Sequence, residues 1–126
     1  MQDRRYALLV EDELLVAMAA TDVLDELGFP VLEAASAARA LELAQAHKDA
    51  IAFAMVDLGL PDLPGEELIR QLRGLDPVLP IIIATGKGAG AIDAAVRSLQ
   101  NLTIVTKPYD FEDLRVAVEL YAGKAS

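Results

Sequence analysis

Five short apolar runs, Tyr6–Val10, Val31–Ala34, Ile51–Val56, Ile81–Ala84 and Thr103–Thr106, punctuate the chain. Between them apolar residues recur every three or four positions: Val16, Ala20, Val23, Leu27; Ala37, Ala40, Leu41, Ala44; Leu68, Leu72, Leu75; Ile92, Ala95, Val96, Leu99; Phe111, Leu114, Val118, Tyr121. The runs read as strands and the stripes as helices with one face on a core. Alternation of this kind, five times over, predicts the α/β class: a five-stranded parallel sheet wrapped by helices. Ile51–Val56 is apolar throughout, which predicts a central strand covered on both faces. Gly28 sits where the first helix should stop, Ser36 and Asp110 where N-caps belong, and Pro80 where the fourth strand opens. The last helix is expected to end at Ala122, giving one domain over residues 1–126 with a core of about 6–122 and no linker or low-complexity tract.

In open α/β sheets the ligand crevice lies beyond the carboxyl ends of the strands, where the strand order reverses. There the sequence places Glu11 and Asp12 after the first strand, Asp57 after the third, Thr85 after the fourth and Lys107 after the fifth. The second strand ends in Ala34-Ala35, which suits a peripheral place in the order 2-1-3-4-5. Carboxylates converging on one edge repel unless a cation or proton lies between them. All-oxygen ligands favour Mg²⁺, with Mn²⁺ as a substitute, and Mg²⁺ in turn suggests phosphoryl chemistry. A carboxylate nucleophile needs no general base to attack phosphorus, which suits Asp57, while Thr85 and Lys107 are placed to bind the phosphoryl oxygens. Taken singly, Glu11-Asp12-Glu13 is also an acidic helix start, Asp57 a turn residue, and Thr85 and Lys107 ordinary strand ends. Their joint occurrence at four strand ends selects the functional interpretation.

Composition narrows the classes further. With 20 acidic and 11 basic residues the net charge is −9, and without a basic stripe the chain repels nucleic-acid backbones. Zero cysteines exclude disulfides, thiol nucleophiles and Cys-ligated metals, and the one histidine, His47, excludes multi-His sites. His47 is expected as a solvated last-turn residue. The longest apolar run, Leu14–Ala20, is far too short to cross a bilayer, and no signal peptide is readable, so the expected compartment is the cytoplasm. Gly86-Lys87-Gly88-Ala89-Gly90 lacks the spacing of a Walker A loop, which removes an NTPase.

Leu8-Leu9-Val10-Glu11-Asp12-Glu13, Val56-Asp57-Leu58-Gly59-Leu60-Pro61-Asp62-Leu63-Pro64-Gly65, Ala84-Thr85-Gly86 and Lys107-Pro108, in that order, resemble the receiver domain of bacterial response regulators over about residues 6–122. The resemblance implies a flavodoxin-like doubly wound fold and a phosphorylation switch rather than an enzyme acting on other substrates. By resemblance Asp57 is the phosphoacceptor. Asp12 ligates Mg²⁺ directly, Glu11 through a water, and the Gly59 carbonyl completes the ligands together with Asp57. Thr85 and Lys107 bind the phosphoryl group, with Lys107-Pro108 cis. The implied partners are a sensor histidine kinase or histidine phosphotransfer protein, and an output protein at the face of the fourth helix, fifth strand and fifth helix; the implied assembly is a monomer or weak dimer. Ile104 stands where many receivers carry a switching Tyr or Phe, and Ile83-Ala84-Thr85-Gly86 is similar to a single-domain subgroup with Phe-Ala-Thr-Gly and a flexible fourth-helix region. Phosphorylation is therefore expected to order the segment 86–98, read as raised amide-exchange protection there.

Two other classes compete with the switch. An Asp-nucleophile phosphatase of the haloacid-dehalogenase type needs a general acid two residues after the nucleophile, and Gly59 stands there. An unphosphorylated adaptor of the same fold would not need Asp57 or Lys107, both of which are present.

Overall fold

The computed structural model describes residues 4–86, 96 and 99–125, the last five as backbone alone. In chain order the elements are β1 (Tyr6–Val10), α1 (Leu14–Glu26), β2 (Val31–Ala34), α2 (Ala37–Ala46), β3 (Ile51–Asp57), α3 (Gly65–Leu75), β4 (Ile81–Thr85), β5 (Leu102–Thr106) and α4 (Phe111–Ala125). All strand pairings are parallel and the order is β2-β1-β3-β4-β5, as the sequence predicts. The predicted stripe Ile92–Leu99 and the segment 86–98 fall mostly outside the described residues. Of them, Val96 is buried, and the Leu99 N–H donates to its carbonyl at 3.0 Å. Among the described residues no helix is long and apolar enough to cross a membrane.

Each strand sends alternate side chains to opposite faces, and both faces are apolar. Leu8, Val10, Ala54, Val56, Ile81 and Ile83 form one core with α2 and α3. Ala7, Leu9, Phe53, Met55, Ile82 and Ala84 form the other with α1 and α4. On β3 the alternation breaks at its start, because Ile51 joins the first core and Phe53 the second. An irregularity there pairs Tyr6 with Ile51 but Ala7 with Phe53, so one extra residue is absorbed. Beyond it the alternation is regular to Asp57, which a one-residue slip would turn to the other face.

Several expectations shift in phase or length. The buried stripe of α1 is Ala17, Ala20 and Leu24 rather than one through Val16, which is only half-buried. The apolar run Leu14–Ala20 permits more than one phase, and the sheet selects the one whose alanines allow close approach. Leu14, Leu15 and Met18 are left exposed. On α3 the buried set is Gly65, Leu68, Ile69 and Leu72. On α4, as far as side chains are described, it is Leu114, Ala117 and Val118, with Phe111 exposed and the predicted Tyr121 outside the described side chains. This last helix runs to Ala125, past the expected Ala122. His47 is not solvated as expected: it is half-buried, with its ring 5.2 Å from that of Tyr6. β3 and β4 each extend one residue further, so Asp57 and Thr85 are strand residues.

Local chemistry fixes the helix ends. Gly28, at φ 95°, takes the left-handed position after α1. Ser36 accepts from the Arg39 N–H at 3.2 Å at the start of α2. Asp110 and Asp113 exchange side chain and backbone bonds at 2.9 and 3.1 Å, a reciprocal cap on α4. Asp62, in the loop after β3, reaches across to α2 and accepts from the Ala37 and Ala38 N–H groups at 2.9 and 3.1 Å.

Gly65 starts α3 against the chain just after Asp57. A Cβ there would lie 2.7 Å from the Leu58 Cα. Gly65→Ala is expected to lower stability by about 1–3 kcal/mol, read as a fall in urea midpoint at unchanged slope. The two backbone bonds hold the Asp62 carboxyl below its ordinary value of 3.8. Its contribution to stability is therefore complete above the unfolded value and lost as pH falls through the lower folded one. Thermal melts of wild type and Asp62→Asn should differ near neutral pH and converge in acid.

Candidate functional site

The carboxyl edge of the sheet brings together Glu11, Asp12, Asp57, Thr85 and Lys107, each at or just beyond the end of a strand. Glu11 follows β1 and is 5% exposed; its N–H donates to the Ala34 carbonyl of β2 at 3.0 Å. Asp57 ends β3 and is 7% exposed, and Thr85 ends β4 at 5%. Asp12 is exposed at the rim. Lys107 follows β5, its N–H donating to the Thr85 carbonyl at 2.8 Å and its peptide bond to Pro108 cis. Glu11, Asp12 and Asp57 each offer a carboxylate oxygen, all within 4.8 Å of one another.

Among the described residues one ammonium serves this cluster. Lys107 Nζ lies 3.1 Å from Glu11 Oε1 and 3.2 Å from Asp57 Oδ1, with Glu13 Oε1 further out at 3.9 Å. Burial pushes the Glu11 carboxyl above its ordinary value, although the Glu13 N–H and Lys107 both pull it down. For Lys107 burial acts to lower the value, but its bond to Glu11 and the Asp57 charge outweigh it, and the net direction is up. The Gly59 N–H donates to Asp57 Oδ1 at 3.2 Å, so both direct partners of Asp57 fall on that oxygen. Among the described residues three hard oxygen donors face one ammonium, which leaves negative charge in excess, and the donor set fits Mg²⁺ or Mn²⁺.

Three contributors escaped the sequence reading. Glu13 reads as helix-start acidity, yet its carboxylate borders Lys107. Asp62 stands in the loop after β3 with no role assigned from the sequence, and its partners lie 25 and 24 positions upstream. Tyr109 packs against the core that the sheet forms with α1 and α4, its hydroxyl buried and without a hydrogen-bond partner among the described residues. Burial, reinforced by the Glu11 charge, pushes this phenol up to about 12. No sequence signal marks the last two, since both depend on tertiary neighbours.

Residues 7–119 match the model of the response regulator receiver domain, and the chain belongs to that family. It is 25% identical over 114 residues to sporulation initiation phosphotransferase F of Bacillus subtilis, covering 90% of each chain. To the two-component response regulator PhoP of Pseudomonas aeruginosa it is 32% identical over 120 residues, covering 94% of this chain and only 52% of that protein. The crystal structure of a response regulator receiver domain protein from Clostridium thermocellum superposes with a TM-score of 0.85 at 24% identity, covering 96% of both chains. Receivers act as phosphoacceptor switches in two-component systems. The Phe-Ala-Thr-Gly subgroup rests on the sequence resemblance alone.

The charge imbalance makes stability predictable. Without divalent metal, Asp57→Asn removes one of three crowded carboxylates and should raise stability by roughly 0.5–2 kcal/mol. Lys107→Ala leaves Glu11 buried without its cation and should lower it by roughly 1–2 kcal/mol, and added Mg²⁺ should restore more in this variant than in wild type. Melts in EDTA and in Mg²⁺ read both.

Proposed function

We propose that this chain is a single receiver domain whose Asp57 accepts a phosphoryl group from a histidine kinase or histidine phosphotransfer protein in a Mg²⁺-dependent reaction. The carrying observation is the buried Asp57 carboxylate held within 3.2 Å of Lys107 and clustered with Glu11 and Asp12. Glu11, Asp12, Asp57 and the Gly59 carbonyl would hold the ion, Asp12 directly and Glu11 through water. Bound there, Mg²⁺ neutralises charge on the phosphoryl oxygens.

Asp57 Oδ1 is engaged by Lys107 and the Gly59 N–H, which leaves Oδ2 to attack. Oδ2 forms a bond to phosphorus as the P–N bond of the donor phosphohistidine breaks, and the departing imidazole nitrogen takes up a proton. Lys107 then follows the new charge onto a phosphoryl oxygen, and Thr85 donates its hydroxyl to another. The chain catalyses only this self-modification and its own dephosphorylation, in which water takes the phosphoryl group off as inorganic phosphate and frees Asp57. The added charge of about −1.5 to −2 reshapes the edge. Output passes through the face of β5 and α4 with the segment between β4 and β5, without an aromatic at Ile104, in a cytoplasmic monomer or weak dimer.

Intact mass after incubation with a small acyl-phosphate donor and Mg²⁺ should show a phosphoryl adduct that Asp57→Asn and EDTA both abolish. If neither an adduct nor beryllofluoride binding appears in Mg²⁺, the chain is a receiver-fold adaptor instead. Lys107→Ala should still bind Mg²⁺ yet fail to show the protection change on phosphorylation that wild type shows by amide exchange.

A further inference from the structure

We propose that Asp62, which touches none of the reacting atoms, is the positioning residue that sets the affinity of the carboxylate cluster for a divalent cation. It does so by latching the loop that bears Gly59 to the start of α2. The inference rests on the metal site proposed above.

The loop between β3 and α3 is pinned at both ends. Gly59 bonds back to Asp57 at 3.2 Å, and the Gly65 N–H donates to the Leu58 carbonyl at 3.4 Å. Its middle is tied to α2 by Asp62, whose Oδ1 and Oδ2 take the Ala37 and Ala38 N–H groups. Helix α2 has no acidic residue in its own first turn, and the Ser36 hydroxyl accepts from the Arg39 N–H. Asp62 thus provides the anion that this positive helix end lacks, and the helix in return holds the loop. Only Leu60 and Pro61 separate Gly59 from Asp62; Leu60 packs on the α2–α3 core and Pro61 fixes its own φ. A shift of Gly59 must drag Asp62 off the helix. Removing the latch frees the loop and raises the cost of ordering it around an ion. By linkage, ion binding also tightens the Ala37 and Ala38 bonds.

Titration with Mg²⁺ followed by amide NMR tests this on wild type, Asp62→Ala, Asp62→Asn, Ser36→Ala and Asp57→Asn. Asp62→Ala should weaken binding about tenfold. Asp62→Asn, which keeps an acceptor but no charge, should fall between and gives the readout if the alanine variant does not fold. Ser36→Ala loosens the same helix end without touching the loop and should change affinity less than about twofold. The Ala37 and Ala38 amides should move with Mg²⁺ in wild type and stay still in Asp62→Ala. Wild-type affinity in both Asp62 variants, or an equal loss in Ser36→Ala, overturns the inference. No binding by wild type, or undiminished binding by Asp57→Asn, overturns the metal site itself and this inference with it.

Discussion

One ammonium group placed among crowded carboxylates is the constraint on which this structure turns. Lys107 reaches both Glu11 and Asp57, and no other cation is recorded beside them among the described residues. Such an arrangement does not stabilise itself, since burying charge is costly and the like charges outnumber the opposite one. It persists because both faces of the sheet are filled with apolar side chains from four described helices, and their burial holds the strand ends where they are. The site is a small unfavourable region imposed by a large favourable one.

The two edges of the sheet are built differently as a result. At the amino edge, Arg4 reaches Asp76 at 2.6 Å and the Ile51 carbonyl at 3.2 Å. Arg73 donates to the carbonyls of Leu79, Gln100 and Asn101 at 2.6–3.0 Å. Positive groups there meet carbonyls and carboxylates that need them. At the carboxyl edge the balance is reversed, and the excess acidity is open to an added cation. Structural satisfaction and chemical readiness are thus separated by the length of a strand.

Much of this was legible in the sequence because it rests on period and position. Strand order, the ends of β1 and β2, the Ser36 and Asp110 caps and the set Glu11, Asp12, Asp57, Thr85 and Lys107 all follow from where apolar runs stop. What did not follow was phase. Within Leu14–Ala20 every residue is apolar, so only contact with the sheet decides that Ala17 and Ala20 face inward while Leu14 and Leu15 do not. Tyr6 covering His47 and Asp62 capping α2 are contacts between residues distant in the chain, and no local pattern encodes them.

The irregularity at the start of β3 gives the site a form of insulation. An extra residue is accommodated between Ile51 and Phe53, five strand positions before the chain reaches Asp57. Differences in the length of the connection from α2 can end there, as a local bend in a strand, without rotating what lies downstream. The central strand acts as a coupling that takes up slack at one end and delivers a fixed orientation at the other.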